Sequence, residues 1–456
     1  MIPLQRLMAR ARVAGASPFV RAVSVLASGS VLAQILNIAV LPLLTRIYTP
    51  DQFSALAVFA ALSIMASLGA CLGFDLAIPM ARTRRDATGV AFCALFSLVG
   101  VTLVVAIVVA VMIKLYGDAS FIARWPRATF ELLPVSTLII GGYNLVEYWT
   151  MRQRRFASIA RARIVQALCG SAIQISLGLL GFGAMGLFVG YIAISGLGLV
   201  GLLADLLRTD ARYLSFASRE TITTSFRRYT SFIRYTGPEA WANAASVYVP
   251  MMLIGASADT AAIGFVMLAQ RLLQAPLMLI GRSVAQVYTS GAARSLLDGR
   301  LSEETAHVLR ALLAIVGIPA ILTAIVAPGL ANMVLGPSWR PVGLYIALLM
   351  PWAILHFLSS SVLTTMHVRG LNARVMLMTI GGLAFRSAAV GGTLAFRQEW
   401  VVDAYALSGL FYYAALLIAI LRANAIPVRR ILPAHPAFAG GITAAGVLAA
   451  AIYLIG

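Results

Sequence analysis

Arginines inside long apolar stretches are the residues of this sequence best suited to bind an anionic group. Arg271 and Arg282 lie eleven residues apart, close to three turns of a helix, so one helical face would carry both, about 16 Å apart along its axis. Arg386 lies inside another apolar stretch. A guanidinium presents a planar fork that binds two phosphate oxygens at once, and a medium of low dielectric strengthens the attraction. These arginines are therefore candidate ligands of an anion.

Other polar residues form stripes on similar apolar segments. Glu239, Asn243 and Ser246 follow the spacing i, i+4 and i+7, and Gln34 and Asn37 form a second stripe. A charge near the bilayer centre costs about 2.5 to 3.5 kcal/mol on insertion scales, so such residues normally face protein or water and often mark a path. Two further candidates of this kind are Glu147 and His356.

Each of these residues also has a structural interpretation. Serine and asparagine can join neighbouring helices by hydrogen bonds, and a lone histidine such as His356 is more often a packed core residue than a proton carrier. Arg282 can snorkel to the cytoplasmic interface, and Glu239 can lie at the interface beside Arg234. If the stripes converge instead, they form a wet, cationic cavity between two lobes. A polyprenyl-pyrophosphate head group is an anion compatible with such a cavity.

The composition indicates that membrane-spanning helices position these residues. Of 456 residues, 61% are apolar and 11% are charged, and the mean hydropathy is +0.90. A soluble domain carries about 25% charged residues, so an ordinary soluble enzyme is excluded. Stretches of about 20 apolar residues predict an all-α polytopic membrane protein with thirteen transmembrane helices. The predicted spans are 22–47, 52–79, 87–114, 128–150, 160–181, 184–207, 233–256, 260–290, 306–328, 341–366, 374–396, 402–422 and 436–455.

Basic residues predict the orientation of these spans. Alternate loops hold 26 of the 35 lysines and arginines, which places the N-terminus in the cytoplasm by the positive-inside rule and, with an odd number of spans, the C-terminus in the periplasm. The net charge of +19 then reports topology and gives no reason to expect a nucleic-acid partner. The apolar run behind the basic N-terminus has 24 residues, too long for a cleaved signal peptide.

A weak internal repeat predicts two lobes. Shifting the sequence by 208 positions aligns 41–61 with 249–269, so that Pro42 falls on Pro250 and Asp51 on Asp259. Six spans separate the copies, which predicts two pseudo-symmetric six-helix lobes in parallel orientation. The predicted parts are an N-terminal lobe at 1–207, a basic cytoplasmic linker at 208–232, a C-terminal lobe at 233–422, and a loop with the thirteenth helix at 423–456.

Signals of enzyme chemistry are weak. The loops predicted outside the membrane are too short to carry a folded domain, and the sequence shows no nucleophile or metal-ligand spacing. Cys71, Cys93 and Cys169 each lie in an apolar run, which favours packing over metal binding or disulfide formation. We therefore expect no catalytic residues, no metal and no cofactor, apart from coupling to protons or sodium, for which Asp75, Glu147, Glu239 and His356 are the candidate coupling or gate residues. A membrane O-antigen polymerase or ligase is the least favoured alternative.

Several stretches, from the first predicted span to the tenth, resemble the Wzx-type oligosaccharide flippases of polysaccharide and O-antigen biosynthesis. These belong to the multidrug/oligosaccharidyl-lipid/polysaccharide exporter superfamily. The resemblance rests on the order and spacing of loose motifs, which are SGSVLAQILNIAVLPLLTRIYTPDQFSALAVF at 28–59, GFDLAIPMARTRRDA at 73–87, RQRRFASIARARIVQ at 152–166, PEAWANAASVYVPMMLIG at 238–255, AIGFVMLAQRLLQAPLMLIGRSVAQVY at 262–288 and LGPSWRPVGLYIALLMPW at 335–352.

This resemblance implies alternating-access transport of an undecaprenyl-pyrophosphate-linked oligosaccharide repeat unit across the bacterial inner membrane. It adds Arg46 and Arg271 as substrate contacts and Asp75 as an acidic residue at the inner end of the second span. Members usually have 12 or 14 helices, so thirteen is a departure. The implied partners are the lipid-linked glycan, membrane lipids, and a polysaccharide polymerase with chain-length proteins; we expect a monomeric transport unit. A cation-coupled small-molecule exporter or a lipid II flippase of the same superfamily is the alternative.

Overall fold

A computed structural model describes residues 18–116, 122–257 and 259–431. Helices account for nearly all of these residues, and this part of the chain contains no strand. The first helices in chain order are α1 (Pro18–Ala39), α2 (Leu41–Ile47), α3 (Pro50–Ala70), α4 (Phe74–Ala77), α5 (Arg84–Tyr116), α6 (Ala128–Glu131), α7 (Leu133–Arg152), α8 (Phe156–Leu179) and α9 (Ala184–Leu214). The remaining helices are α10 (Arg219–Arg228), α11 (Gly237–Ile254), α12 (Ala261–Leu297), α13 (Leu301–Leu335), α14 (Arg340–Val362), α15 (Thr364–Val368), α16 (Asn372–Phe396) and α17 (Val401–Ala423).

The predicted all-α polytopic membrane fold is confirmed. Within the described ranges, ten helical segments are long and apolar enough to cross a bilayer, and each coincides with one of the thirteen predicted spans. The predicted span at 233–256 is an 18-residue helix, α11, which begins only at Gly237 because Phe232–Thr236 forms a π-turn. The span at 260–290 lies within α12, whose apolar segment is Ala261–Ala275. The thirteenth predicted span, 436–455, lies outside the described residues.

The stretch 164–204 contains no charged residue, and the glycine-rich segment GFGAMG at 181–186 interrupts it between the predicted spans 160–181 and 184–207. Helix α8 ends at Leu179 and α9 begins at Ala184. Gly181 and Gly183 between them have positive φ angles of 80° and 55°, a region that side chains with a Cβ rarely adopt. These two glycines therefore reverse the chain, and the stretch crosses twice instead of once.

The chain contacts define two compact units. The first contains the described residues of 18–40, 62–123 and 127–240, and the second those of 41–61, 124–126 and 241–431. The predicted lobes and linker have different boundaries, and the pseudo-symmetry between the lobes stays a prediction. A core of the first unit surrounds Phe74, Leu98 and Trp149, which are almost completely buried. In the second unit, Trp339 is buried against the edges of Phe53 and Phe265.

Basic loops meet within the first unit. Arg85 donates to the Thr221 hydroxyl at 2.9 Å, and Arg155 pairs with the buried Asp210 carboxylate at 2.7 Å. The side chain of Arg152 donates to four backbone oxygens of the connection between α4 and α5. The predicted cytoplasmic loops that come together in this way are 80–88, 150–163 and 208–234. Their contact agrees with the prediction that alternate loops share one side of the membrane.

Basic loops also meet within the second unit. The Arg369 guanidinium donates to the Asn424 side-chain oxygen at 3.0 Å, and Arg310 donates to the Arg430 carbonyl. These residues come from three loops predicted on the same side, which are 291–310, 367–374 and 422–432. Each unit therefore gathers its arginine-rich loops, as expected if the positive-inside rule governs this chain.

The two segments of the proposed repeat lie side by side in the second unit. The Ser54 hydroxyl, near the start of α3, accepts a hydrogen bond from the Gly264 backbone N–H at 3.0 Å and donates to the Ala261 carbonyl. A Cβ atom on Gly264 would lie 2.5 Å from the Ser54 Oγ, so glycine permits this close approach. The Trp339 indole donates to the Thr45 carbonyl at 2.8 Å and so fixes α2 in the same unit.

Candidate functional site

The first unit contains a polar cluster between three membrane-spanning helices. Arg163 of α8 donates to the Glu147 carboxylate of α7 at 2.7 Å and to the Ser30 hydroxyl of α1. The side chain of Glu147 is 14% exposed and that of Arg163 is 27% exposed. A carboxylate in such a position requires a partner because losing hydration is costly. The predicted candidate Glu147 is therefore held by an ion pair.

The cluster extends along α8 and α9 because glycine leaves room for it. Gln166 of α8 and Tyr143 of α7 are both buried and approach α9 at Gly198. A Cβ atom on Gly198 would overlap the Gln166 amide and lie 2.7 Å from the Tyr143 ring. The α9 backbone can therefore approach the polar side chains of its neighbours only because residue 198 is glycine.

Two predicted substrate contacts, Gln34 and Asn37, lie on the α1 face that carries Ser30. The three residues have the spacing i, i+4 and i+7, and both predicted contacts are half-buried. Since Ser30 joins Arg163, this face continues away from the ion pair along α1. The structure thus places Gln34 and Asn37 on the same helix face as part of the cluster, and their role in binding stays a prediction.

Asp75 lies in the short helix α4, outside the spanning segments. It is 9% exposed, and the burial raises the pKa of its carboxyl to about 6 although backbone N–H groups of Asp75 and Leu76 partly oppose the shift. No lysine or arginine among the described residues lies within ion-pair distance of it. Asp75 is not held by Arg82 or Arg84, a pairing that would have given it a purely structural role.

Arg386 of α16 is completely buried in the second unit. One guanidinium nitrogen, Nη1, donates to the Ser246 carbonyl of α11 at 2.6 Å. That carbonyl is free of the helical ladder because Pro250, four residues on, has no N–H to donate. The guanidinium carbon lies 5.1 Å from the ring centroids of Trp352 and Tyr405, at cation–π distance. With none of its surface exposed, Arg386 offers no direct contact to a large ligand in this structure.

A cavity of 310 Å³ lies in the second unit between α12 and α14. Its lining includes His356, a predicted gate or coupling candidate, and the ring of His356 lies 4.5 Å from that of Tyr413. The cavity wall also contains Trp352, the residue over which Arg386 lies. Other polar members of the wall are Gln270, Gln274, Ser360 and Ser361. His356 is thus a partly buried residue at a cavity rather than a residue of a solid core.

The remaining predicted site residues occupy several environments. Arg271 is half-buried on α12, and Arg282 lies three turns further along the same helix, where its side chain is outside the described part of the chain. Arg46 is exposed in the last turn of α2. Glu239 and Asn243 are exposed on α11, one turn apart. Their roles as substrate contacts or gates stay predictions.

Sequence analysis missed Arg163, Trp352 and Tyr405. Arg163 falls both in the basic segment 150–163, with which it is counted, and in the predicted span 160–181; α8 begins at Phe156 and carries Arg163 two turns inside the helix. The opposite charges of Glu147 and Arg163 on successive helices are the signal that could have paired them. Trp352 and Tyr405 are aromatic residues within apolar stretches, and nothing in the sequence indicates that they contact Arg386.

The fold is that of membrane transporters. One solved structure, the lipid II flippase MurJ in an inward closed conformation, has a TM-score of 0.66 at 12% identity, with 94% of this chain and 92% of that chain covered. An inward-facing multidrug resistance MATE family transporter of the MOP superfamily has a TM-score of 0.61 at 12% identity, covering 88% of this chain and 94% of that one. A MOP superfamily transporter from Pyrococcus furiosus has a TM-score of 0.54 at 14% identity, covering 89% and 95%.

The model of a family described as polysaccharide biosynthesis proteins matches residues 43–343. The chain belongs to this family. A search of curated proteins found no match. The family drawn from the sequence motifs is therefore confirmed: the chain is a multi-pass membrane protein of a polysaccharide-biosynthesis family, and its fold is similar to those of the solved flippase and transporters.

Proposed function

We propose that the protein moves an undecaprenyl-pyrophosphate-linked oligosaccharide repeat unit from the cytoplasmic to the periplasmic leaflet of the bacterial inner membrane by alternating access. The observation that carries the proposal is the polysaccharide-biosynthesis family match over 43–343, on a fold shared with transporters that include a lipid flippase. A flippase in polysaccharide biosynthesis requires a substrate that joins a lipid to a glycan. The proposed partners downstream are a polysaccharide polymerase and its chain-length proteins, and the transport unit is a monomer.

Charge supports the orientation of the protein in the membrane and the choice of anion ligands. The basic loops that meet within each unit face the cytoplasm if they follow the positive-inside rule, which puts the N-terminus inside. Arg46, Arg271 and Arg282 are the proposed contacts of the pyrophosphate, whose oxygens suit a guanidinium fork. The half-buried amides of Gln34 and Asn37, with the exposed amide of Asn243, are the proposed contacts of the sugar hydroxyls.

Proton coupling is the proposed energy source, with Asp75 as the coupling residue. Its pKa of about 6 allows it to change protonation near physiological pH. Glu147 is a weaker candidate because its carboxylate is already occupied by an ion pair with Arg163. Glu239 is exposed on α11, and His356 lies in a cavity of the second unit.

The test is the accessibility of the loaded carrier in the native cell. After deletion of the gene, spheroplasts are treated with a membrane-impermeant reagent that labels sugars, and the lipid-linked fraction is extracted. We expect labelling to be lost on deletion and restored by the wild-type gene or by Arg154→Lys, a change at an exposed loop residue. Normal labelling of the lipid-linked repeat unit in the deletion strain would overturn the proposal.

A lipid II flippase is the second candidate, because the structure of one covers 94% of this chain. The two candidates predict different rescues. If lipid II is the substrate, the gene will restore export of peptidoglycan precursor in cells depleted of their own flippase. If a polysaccharide repeat unit is the substrate, these cells will not be rescued, although the same plasmid restores labelling in the deletion strain.

A further inference from the structure

Two cavities of the second unit adjoin along α12. The first is the 310 Å³ cavity described above, and the second has a volume of 220 Å³. Leu273 and Leu277 line both, so the two cavities share these side chains as part of their walls. The combined volume of the two cavities is in the range of small-ligand sites. A ligand with a hydrocarbon chain that occupies both can be longer than one that occupies either cavity alone.

The second cavity is apolar and opens at the surface of its unit. Ile315, Pro319 and Thr323 of α13 line it and are exposed, at the spacing i, i+4 and i+8 of one helical stripe. Val316 and Ala320 line it from the buried side of the same helix. The helix is a membrane-spanning segment, so its exposed apolar stripe is where a hydrocarbon chain would enter.

The first cavity has polar groups in its wall. Gln274, His356 and Ser360 are part of this wall, and His356 and Ser360 are one helical turn apart. Behind the wall lies the Arg386 guanidinium, 5.1 Å from the ring centroid of Trp352. The two cavities therefore combine an exposed wall on α13 with polar side chains beside a buried positive charge.

The charge of Arg386 is not balanced by a carboxylate in the described ranges of the chain. Its Nη1 donates to the Ser246 carbonyl, but Nε and Nη2 have no hydrogen-bond acceptor within those ranges. The buried indole N–H of Trp352, in the cavity wall, also lacks an acceptor there. Buried donors normally have acceptors, and a buried cation favours negative charge nearby. The part of the cavity beside Trp352 and His356 is thus suited to an anionic head group.

We propose that the two cavities bind a single-chain anionic amphiphile, with its hydrocarbon chain along Leu273 and Leu277 and its head group at the His356 end. Arg386 attracts the head group through the Trp352 wall and is a positioning residue that makes no direct contact in this structure. For the identity of the amphiphile the inference rests on the proposed function, under which it is a polyprenyl phosphate bound separately from the pyrophosphate that Arg46, Arg271 and Arg282 are proposed to contact. A fatty acid has the same chemistry.

The test uses the purified full-length protein in neutral detergent, with binding followed by its melting temperature and by tryptophan fluorescence. The probes are farnesyl phosphate, palmitate and farnesol. We expect farnesyl phosphate to bind more tightly than farnesol, which has the same chain and no charge. Stronger stabilisation by palmitate than by farnesyl phosphate identifies a fatty acid as the occupant, which supports the site and removes the polyprenyl identity. Absence of binding by both anionic probes overturns the inference.

Two variants test the two ends of the site separately. Leu277→Trp, which fills the junction, should abolish binding of every probe, whereas Ile318→Trp on the exposed face of α13 should leave binding unchanged. Arg386→Met should weaken farnesyl phosphate about tenfold and farnesol less than about twofold. Should Arg386→Met not fold, Arg386→Gln, which removes the charge and keeps an N–H donor, replaces it with the same expected preference.

Equal losses for farnesyl phosphate and farnesol in these head-group variants would overturn the role of the positive charge. The binding assay is independent of transport. A failure here leaves the sugar-labelling result standing, and loss of the labelling result leaves binding measurable.

Discussion

The Arg163 guanidinium and the Glu147 carboxylate form an ion pair of 2.7 Å inside the first unit. Glu147→Gln removes the negative charge of the pair and leaves the Arg163 guanidinium without its carboxylate partner. We expect the variant to lower the free energy of unfolding by about 2 kcal/mol, as for a partly buried hydrogen bond to a charged group. Thermal unfolding in detergent measures the change.

The control for this prediction is Glu220→Gln. Glu220 pairs with Arg85 at 3.5 Å, but their side chains are 83% and 60% exposed. Exposed pairs contribute about 0 to 1 kcal/mol, so the control should unfold close to the wild-type temperature. The prediction is contradicted if both variants lower the melting temperature equally.

Gly198→Ala should disrupt the polar cluster without removing any polar group. The new methyl group would overlap the Gln166 amide, so either α9 moves away or Gln166 and Tyr143 give up their positions. Overpacking of this kind costs about 1 to 3 kcal/mol. Gly201→Ala on the same helix is the matched control, because a Cβ there meets nothing within 4 Å. We expect Gly198→Ala to have a lower melting temperature and lower transport than the wild type, and Gly201→Ala to match the wild type. Equal behaviour of the two variants would show that the close approach of α9 to Gln166 and Tyr143 is unimportant.

Arg152→Lys should loosen the connection between α4 and α5. The Arg152 guanidinium donates to the carbonyls of Ala81 at 2.6 Å and Thr83 at 3.1 Å, with two longer contacts in the same connection. Lysine keeps the positive charge, but its single ammonium group cannot reach all the carbonyls to which the two terminal nitrogens of the arginine donate. We expect a loss of about 1 to 3 kcal/mol in the free energy of unfolding. Arg154→Lys, at an exposed neighbour, should have no measurable effect, and protease cleavage at 78–83 should increase only in the Arg152 variant.

The fold was predictable because bilayer physics leaves a strong signal in the sequence. Runs of about 20 apolar residues located ten spans, and the arginine clusters located the loops that meet in each unit. Boundaries were the weak point: the basic segment 150–163 overlaps the predicted span 160–181, and counting Arg163 with the loop residues left it out of the candidates inside the membrane. Arg163 is the only partner of Glu147 among the described ion pairs.

The candidate site was less predictable than the fold because side-chain partners depend on packing. Helical periodicity placed Gln34 and Asn37 on one face with Ser30, and the structure agrees. Periodicity could not show that Arg386 is enclosed by Trp352 and Tyr405, since aromatic residues in a span carry no sign of their neighbours. It also could not show that Pro250 frees the carbonyl to which Arg386 donates.

The pH dependence of stability should reveal Asp75. Burial raises its folded-state pKa from 3.8 to about 6, so the folded protein favours the protonated form more than the unfolded chain does. Stability from this group is therefore full below pH 4, is lost as pH rises from 4 to 6, and changes no further above that range. The loss is on the order of 3 kcal/mol.

The comparison for Asp75 is Asp75→Asn, which has nearly the same shape and does not titrate. The difference in melting temperature between wild type and variant should change between pH 4.5 and pH 6.5 and stay constant from pH 7 to pH 8. A difference that is constant over the whole range would place the Asp75 pKa at its ordinary value. In transport assays, the variant should also lose the acceleration that a proton gradient gives the wild type under the proposed coupling.

The proposed pyrophosphate contacts can be separated from general charge effects by comparing alanine with lysine. Arg271→Ala and Arg282→Ala should reduce flipping more than Arg271→Lys and Arg282→Lys, because lysine keeps the positive charge and loses the fork that binds two oxygens. Arg340→Ala, at the start of α14, is an arginine control outside the proposed contacts. Flipping is measured by the labelling assay in the deletion strain, at matched amounts of protein in the membrane.

Wild-type flipping by both alanine variants would remove Arg271 and Arg282 from the binding site. Full activity of the lysine variants with inactive alanine variants would show that charge alone suffices, because a fork that contributes must leave a measurable deficit in lysine.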